Sequence, residues 1–258
     1  MRISLIGAGR VATHLAKALS VQHQILHIYS PTFANAQTLA EQVQAQAVRS
    51  MDQLDTSVEL LIIAISDQAI ESCVLELAEY FKETLIVHTS GSTHIERLTQ
   101  HYARAGVFYP LQTFSLQREI DWTQTPLFIE TACSEDLHIL DRVAQALSQR
   151  VYHYDSKQRL SLHLAAVFAC NFSNYCYDMA AQVLDAAQVD FSLLHPLMLE
   201  TAAKATQNPP VHVQTGPAMR ADENILNLHQ QMLVAAERPD LQQVYQLLSD
   251  GILKRHHE

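Results

Sequence analysis

Gly7-Ala8-Gly9-Arg10-Val11-Ala12 fits the pattern GxGxxA and stands between a short apolar run, RISLI, and a helical pattern, RVATHLAKALS. At such a place the first glycine permits a tight turn. The second lets the backbone approach a pyrophosphate with no Cβ in the way, and the small third residue lets the helix pack close on the strand. A phosphate there meets the free N–H groups and the dipole of the helix N-terminus. Gly7, Ala8, Gly9, Arg10 and Val11 are therefore expected to hold a dinucleotide. A plain turn and a methyl-donor nucleotide site are the competing readings.

The end of the second strand reports which dinucleotide. A site for NAD places Asp or Glu there, about 20 residues on, to hold the ribose 2′-hydroxyl. This chain reads IYSPT and has no acid before Glu41. With no carboxylate to repel a 2′-phosphate, NADP is expected over NAD, bound by Ser30, Thr32 and Arg10. Ligands in an open α/β sheet bind outside the carboxyl ends of the strands. Ser66 and Asp67 follow LLIIAI there, and Thr89, Ser90, Gly91 and Ser92 follow TLIVH. Ser66 and Asp67 either cap the next helix or face the cofactor. HTSGS is richer than a turn requires and suits the nicotinamide ribose or a substrate.

A second set of polar residues lies far along the chain. On a helix of ~100° per residue, His163, Asn171, Asn174 and Asp178 share an arc of about 80°. The remaining faces carry Leu, Ala, Val, Phe and Met, a pattern expected to be buried. Such a stripe is either a structural or solvated network or a catalytic face. In the second case His163 is a general acid to a substrate heteroatom during hydride transfer. Asn171 and Asn174 then orient the substrate. In TGPAMRADEN, Pro217 suits a first helical turn, with Arg220 and Asp222 close behind it. Those two form either a surface ion pair or, through Arg220, a clamp for a carboxylate or phosphate.

The elements that must position these groups fall into two rhythms. Up to residue 155, the apolar runs RISLI, ILHIY, LLIIAI, TLIVH, GVFYPL, PLFIE and VYHYD alternate with helical patterns. Strands apolar on both faces and joined by helices imply a doubly wound, mainly parallel sheet. From Ser156 to Ala187 there is neither Gly nor Pro, which reads as one long helix. Further helices are expected at 192–206, 217–236 and 241–253. The organisation is an α/β domain over 1–155 followed by an all-α domain over 156–258.

Composition excludes some partners. With 17 Lys+Arg against 27 Asp+Glu and a formal net charge of -10, the chain lacks the clustered cations that nucleic acid requires. Its 14 histidines form no HExxH, and no Cys/His group has zinc spacing, so no metal is expected. The run Ile3–Ile6 is too short for an export signal and no segment suits a membrane span. The protein is expected to be soluble and cytoplasmic, with its four cysteines reduced.

GxGxxA, HTSGS, FYPLQTF, HLAAVFACNFSNY and TGPAMRAD together resemble Rossmann-like proteins with a helical C-terminal domain of unknown function. That group sits among the 6-phosphogluconate dehydrogenase-like, ketopantoate reductase-like and pyrroline-5-carboxylate reductase-like enzymes. The resemblance implies a Rossmann fold, NADP-linked oxidoreductase activity and pairing through the C-terminal helices. It also brings two departures. Pro31 follows Ser30 where the family commonly has arginine, and Tyr109 precedes Pro110 where the family commonly has histidine. The expected function is hydride transfer to or from a small substrate, anionic if Arg220 is its clamp, bound between the two domains. A dinucleotide-binding sensor or assembly protein without turnover is the alternative.

Overall fold

The computed structural model describes residues 1–257. The chain divides into two compact units, the first Met1–Asn171 and the second beginning at Phe172. The first unit therefore extends past Ser156, where the sequence rhythm changes.

The first unit is built on eight strands, β1 (Arg2–Ile6), β2 (Gln24–Tyr29), β3 (Gln46–Val48), β4 (Leu60–Ile63), β5 (Leu85–His88), β6 (Ala105–Pro110), β7 (Leu127–Thr131) and β8 (Val151–His153). They lie in the order β3-β2-β1-β4-β5-β6-β7-β8. The order reverses between β1 and β4, which pair in parallel, and a doubly wound sheet forms its ligand crevice at such a point. All pairs are parallel except β6 with β7. Pro110 ends β6 opposite Leu127. The connection between them thus turns back on itself, and an antiparallel pair needs no crossover helix.

Helices α1 (Arg10–Ser20), α2 (Phe33–Val43), α3 (Asp67–Leu77), α4 (Glu96–Thr99) and α5 (Ser134–Leu147) cover the sheet. α1 buries Ala12, Leu15, Ala16 and Leu19, the i, i+3, i+4, i+7 stripe of an amphipathic helix. These residues join Ile3, Leu5, Leu60 and Ile62 on one face of the sheet, while Ile6, Leu61 and Ile63 join Ile70, Val74 and Leu77 of α3 on the other. The strand period of two thus sends alternate residues into two apolar layers. Each fully buried Leu or Ile contributes roughly 1.5–3 kcal/mol relative to exposure. β3 and α4 were not expected, because three and four residues are too short to show a period.

After β8 the chain enters α6 (Ser156–Ala166), a π-helical stretch over Val167–Phe172, and α7 (Ser173–Ala186). The expected single regular helix is thus interrupted. Hydrogen bonds closing i→i+5 instead of i→i+4 change the rotation per residue, so the 80° arc drawn through His163, Asn171, Asn174 and Asp178 does not hold. The second unit continues with α8 (His195–Gln207), α9 (Glu223–Ala235) and α10 (Pro239–His257). α7, α8 and α9 have no buried residue, contrary to the burial expected of so apolar a helix. Within this unit Leu193, Leu199 and Leu247 are each about 70% exposed, at 69%, 73% and 73%.

The helix expected from Pro217 also starts later. Gly216 has φ +109° and Ala221 φ +52°, so the intervening residues form a turn closed by Asp222 N–H donating to the Pro217 carbonyl at 3.0 Å. Asp222 then caps α9, its carboxylate accepting from the Ile225 N–H at 3.3 Å. Aspartate is a strong N-cap, and it sets the boundary.

Candidate functional site

The glycine turn answers to two different demands. Gly7 has φ +119°, and a Cβ there would lie 2.1 Å from the carbonyl oxygen of Ala64. Its bareness is required by the close approach of the chain leaving β1 to the chain leaving its parallel neighbour β4. Gly9 has an ordinary extended φ of −81°, and a Cβ there would meet nothing within 4 Å. Its bareness opens space in front of α1 and has no packing purpose. Gly9 is also the N-cap of α1 and offers no side-chain cap bond. Ala8 and Val11 flank it half-buried, and Arg10 is exposed.

The same edge carries two more helix starts of this kind. Thr32 precedes α2 and Ser66 precedes α3, and neither side chain makes a cap hydrogen bond. The simple capping role for Ser66 is therefore absent. Asp67 is the first residue of α3, and its carboxylate accepts a short hydrogen bond from the Ser92 hydroxyl. Three uncapped N-termini leave N–H donors free at one edge, next to the point where strand order reverses. A dinucleotide's phosphates and ribose hydroxyls need such donors and such an open cradle, so the residues present fit that group.

Beyond β5 the chain folds tightly. The Ser90 hydroxyl accepts from the backbone N–H of Ser92 and Thr93, at 3.1 and 2.9 Å. Ser90 N–H donates to Nδ1 of His88 at 3.2 Å. Burial, reinforced by the Arg159 cation, holds His88 down at about 3, from an ordinary 6.5, so it is a neutral acceptor at the foot of the loop. Thr89 continues the sheet, its N–H donating to the Ile63 carbonyl at 3.1 Å. Thr89, Ser90 and Gly91 are all buried.

Against this loop lie Tyr109 and His163. The Tyr109 hydroxyl is 3.2 Å from Nδ1 of His163, and the rings meet edge-on at 6.1 Å between centroids. A Cβ on residue 91 would fall 2.6 Å from His163 Nδ1 and 2.7 Å from Tyr109 Cζ. The glycine of HTSGS is thus what lets the pair approach. Burial pushes the Tyr109 hydroxyl up to about 12, which keeps it protonated near neutral pH.

His163 is held there from one turn away. α6 starts in a capping box of Asp155 and Gln158. Ser156 donates to Glu130 at 2.8 Å and accepts from the Ile95 N–H at 3.0 Å. Arg159, only 1% exposed, pairs with Glu130 of β7 and donates to the Thr93 carbonyl. Truncating one partner of so buried a pair costs about 3–5 kcal/mol. Arg159 thereby ties the first turns of α6 to the loop after β5. Just past the FYPLQTF stretch, the Ser115 carbonyl lies 2.9 Å from Nε2 of His14 in α1.

The structure thus gathers Gly7, Ala8, Gly9, Arg10, Val11, Ser30, Thr32, Ser66, Asp67, Thr89, Ser90 and Gly91 along the carboxyl edge of the sheet, with His163 against Gly91. Asn171 is exposed on the π-helical stretch and makes no hydrogen bond to His163. Asn174 and Arg220 belong to the second unit, and both are exposed. Asp178 accepts from Gln182 at 2.7 Å. Arg220 and Asp222 form no ion pair. Sequence reasoning missed Tyr109, Arg159 and His88 as parts of this site. The signal for Tyr109 was its place beside Pro110, where the family commonly has histidine. Nothing in the polar first turn of α6, SKQR, set Ser156 and Arg159 apart from their neighbours as the buried pair.

A Rossmann-like domain model matches residues 1–112, and the domain of unknown function DUF2520 matches residues 125–252. A Bacteroides fragilis protein, named as a candidate NADP oxidoreductase, is 43% identical over 98% of both chains, with a TM-score of 0.92. The chain belongs to the Rossmann-like family that carries a DUF2520 domain. Other members of its fold group are more distant. A Thermotoga maritima protein is 20% identical over 98% of both chains with a TM-score of 0.71. An imine reductase of Myxococcus stipitatus, solved with NADP+, is 14% identical over 100% of both chains with a TM-score of 0.72. At that distance the likeness to the DUF2520 protein is one of fold. No curated protein matches the chain. Among the described residues no helix is long and apolar enough to cross a membrane, and no three His, Cys, Asp or Glu side chains gather as metal ligands.

Proposed function

We propose that this DUF2520-family protein is an NADP-dependent oxidoreductase acting on the carbon–oxygen or carbon–nitrogen bond of a small substrate held beside Tyr109 and His163. The observation that carries the reading is that pair, set against Gly91 at the edge that holds the open glycine turn. The 43% identical relative named as a candidate NADP oxidoreductase supports it. The NADP-bound imine reductase adds a fold of the same kind. When bound, NADP supplies or takes the hydride. The chain's own task is the proton. A protonated Tyr109 hydroxyl can donate to Nδ1 of His163, so that when Nε2–H gives its proton to the substrate heteroatom the Tyr109 proton moves onto Nδ1, leaving the imidazole neutral and the negative charge on the Tyr109 oxygen until solvent reprotonates it. Arg159 and Ser156 fix α6, and so fix where that proton is presented.

Asn171, exposed at the end of the first unit, completes the reading as a group that orients the substrate. Arg220 has no carboxylate in ion-pair range among the described residues and suits an anionic group. Four free cysteines fit a reducing, cytoplasmic setting. The exposed leucines of the second unit, with an apolar groove of about 580 Å³ lined by Met179, Val183, Met232 and Leu248, support a homodimer through its helices. So large an apolar surface is seldom left to water.

The test is His163→Ala, assayed by NADPH consumption on a panel of small carbonyl and imine compounds. Turnover should fall by ~10²–10⁴ while NADPH affinity and melting temperature stay near wild type. Unchanged turnover, or a parallel fall in all three, would contradict the role given to His163.

A further inference from the structure

The end of β2 has no acid, which admits a 2′-phosphate, but Pro31 stands where a cation is common in the family, so nothing in SPT binds that phosphate strongly. The structure supplies a cation from the next strand. β2 and β3 pair in parallel with Tyr29 opposite Val48. Ser30 and Arg49 therefore leave the two strands side by side at the carboxyl edge. The guanidinium carbon of Arg49 lies 3.8 Å from the centroid of the Phe33 ring, over the first residue of α2.

Three features of this corner are unspent. In a chain with 27 acidic residues, Arg49 has no carboxylate in ion-pair range among the described residues. Ser30 is 8% exposed, yet its hydroxyl has no hydrogen-bond partner among the described residues. Thr32 leaves the first N–H groups of α2 without a side-chain cap. A cation, a hydroxyl donor and a helix N-terminus converge where the ribose of a bound dinucleotide would lie. Stacking on Phe33 holds the guanidinium plane in one orientation, and its planar fork matches a phosphate.

We infer that Arg49, laid on Phe33, is the residue by which this chain reads the 2′-phosphate of NADP, with Ser30 and the start of α2 as its partners. The inference rests on the NADP reading above and assigns its specificity to β3 instead of the β2–α2 loop. An arginine resting on a half-buried aromatic ring with no ligand to bind is the plain alternative. It predicts no difference between the two dinucleotides.

The experiment is calorimetric titration of the full chain with NADPH and with NADH, for wild type, Arg49→Ala and Arg49→Lys. Arg49→Ala should weaken NADPH by ~10–150-fold, the range of a hydrogen bond to a charged group, and change NADH by less than about 2-fold. Arg49→Lys should recover part of the loss, since it keeps the charge but not the fork. The NADPH affinity of wild type should fall with added salt more steeply than that of Arg49→Ala. Equal weakening of both dinucleotides, or no weakening of either, would overturn the assignment while leaving the NADP reading standing. Wild type that binds neither would overturn both. Arg49 is exposed, so the unliganded melting temperature should match wild type in each variant.

Discussion

Nδ1 of His163 and the hydroxyl of Tyr109 are 3.2 Å apart, and the contact exists because residue 91 has no side chain. Gly91→Ala should force the pair apart, since the new Cβ would come within 2.6 Å of His163. Overpacking of this kind costs about 1–3 kcal/mol, and turnover should fall with the melting temperature. Tyr109→Phe separates the two effects. The ring stays packed, the hydroxyl goes, and turnover should drop by at least ~10-fold with a melting temperature within a few degrees of wild type. Kinetics and thermal melts on the two variants check this. Full turnover in Tyr109→Phe would remove the hydroxyl from proton transfer.

Gly7 and Gly9 should behave oppositely although only Ala8 separates them. Gly7→Ala would place a Cβ 2.1 Å from the Ala64 carbonyl at a φ of +119°, and the variant is expected to fold poorly or not at all. Gly9→Ala meets nothing in the protein, so its stability should stay within about 1 kcal/mol of wild type. Its dinucleotide affinity should nevertheless fall by at least ~10-fold, because the Cβ enters the pyrophosphate path. Melting curves with and without NADPH resolve both. A Gly9→Ala variant with normal affinity would place the pyrophosphate elsewhere.

His88 gives the fold an acid-sensitive element. Burial lowers it from 6.5 to about 3, so between those values the unfolded chain binds a proton that the folded chain does not. Stability from this group is complete above pH 6.5 and is lost as pH falls toward 3, by at most about 1.4 kcal/mol per pH unit. His88→Asn keeps an acceptor for the Ser90 N–H and removes the titration. Urea unfolding at pH 4.5 and 7.0 should show a smaller difference for the variant than for wild type. An identical difference would assign the acid sensitivity to other groups.

The exposed helices of the second unit predict an oligomer. Sedimentation at micromolar concentration should give a homodimer, and Leu199→Glu with Leu247→Glu should shift it toward monomer. Both positions are 73% exposed, so neither substitution disturbs packing within the chain. A monomeric wild type would leave the apolar surface to another partner.

Much of the first unit was legible because its signals are local and periodic. RISLI followed by GAGRVA defines a strand, a turn and a helix within the first 20 residues. Leu60, Leu61, Ile62 and Ile63 are all buried and alternate between two apolar layers, as a strand covered on both faces must. The residues proposed to hold the cofactor could be placed on one edge for the same reason, since each lies at a strand end or in the first turn of the helix that follows. Tyr109 with His163, and Arg159 with Glu130, were beyond such reading. Their partners are 54 and 29 residues apart, and no spacing rule joins them. The π-helical stretch defeated the polar arc, because a one-residue change in hydrogen-bond closure leaves no trace in composition. Burial of α7 was misjudged because apolar residues were counted as core, and within this chain they have nothing to cover them.

The central claim is that this edge holds NADP, and calorimetric titration of the wild-type chain with NADPH and NADH tests it most directly. NADPH is expected to bind with one site per chain and at least ~10-fold more tightly than NADH, an affinity ratio worth about 1.4 kcal/mol. Tighter binding of NADH, or binding of neither, would contradict the account.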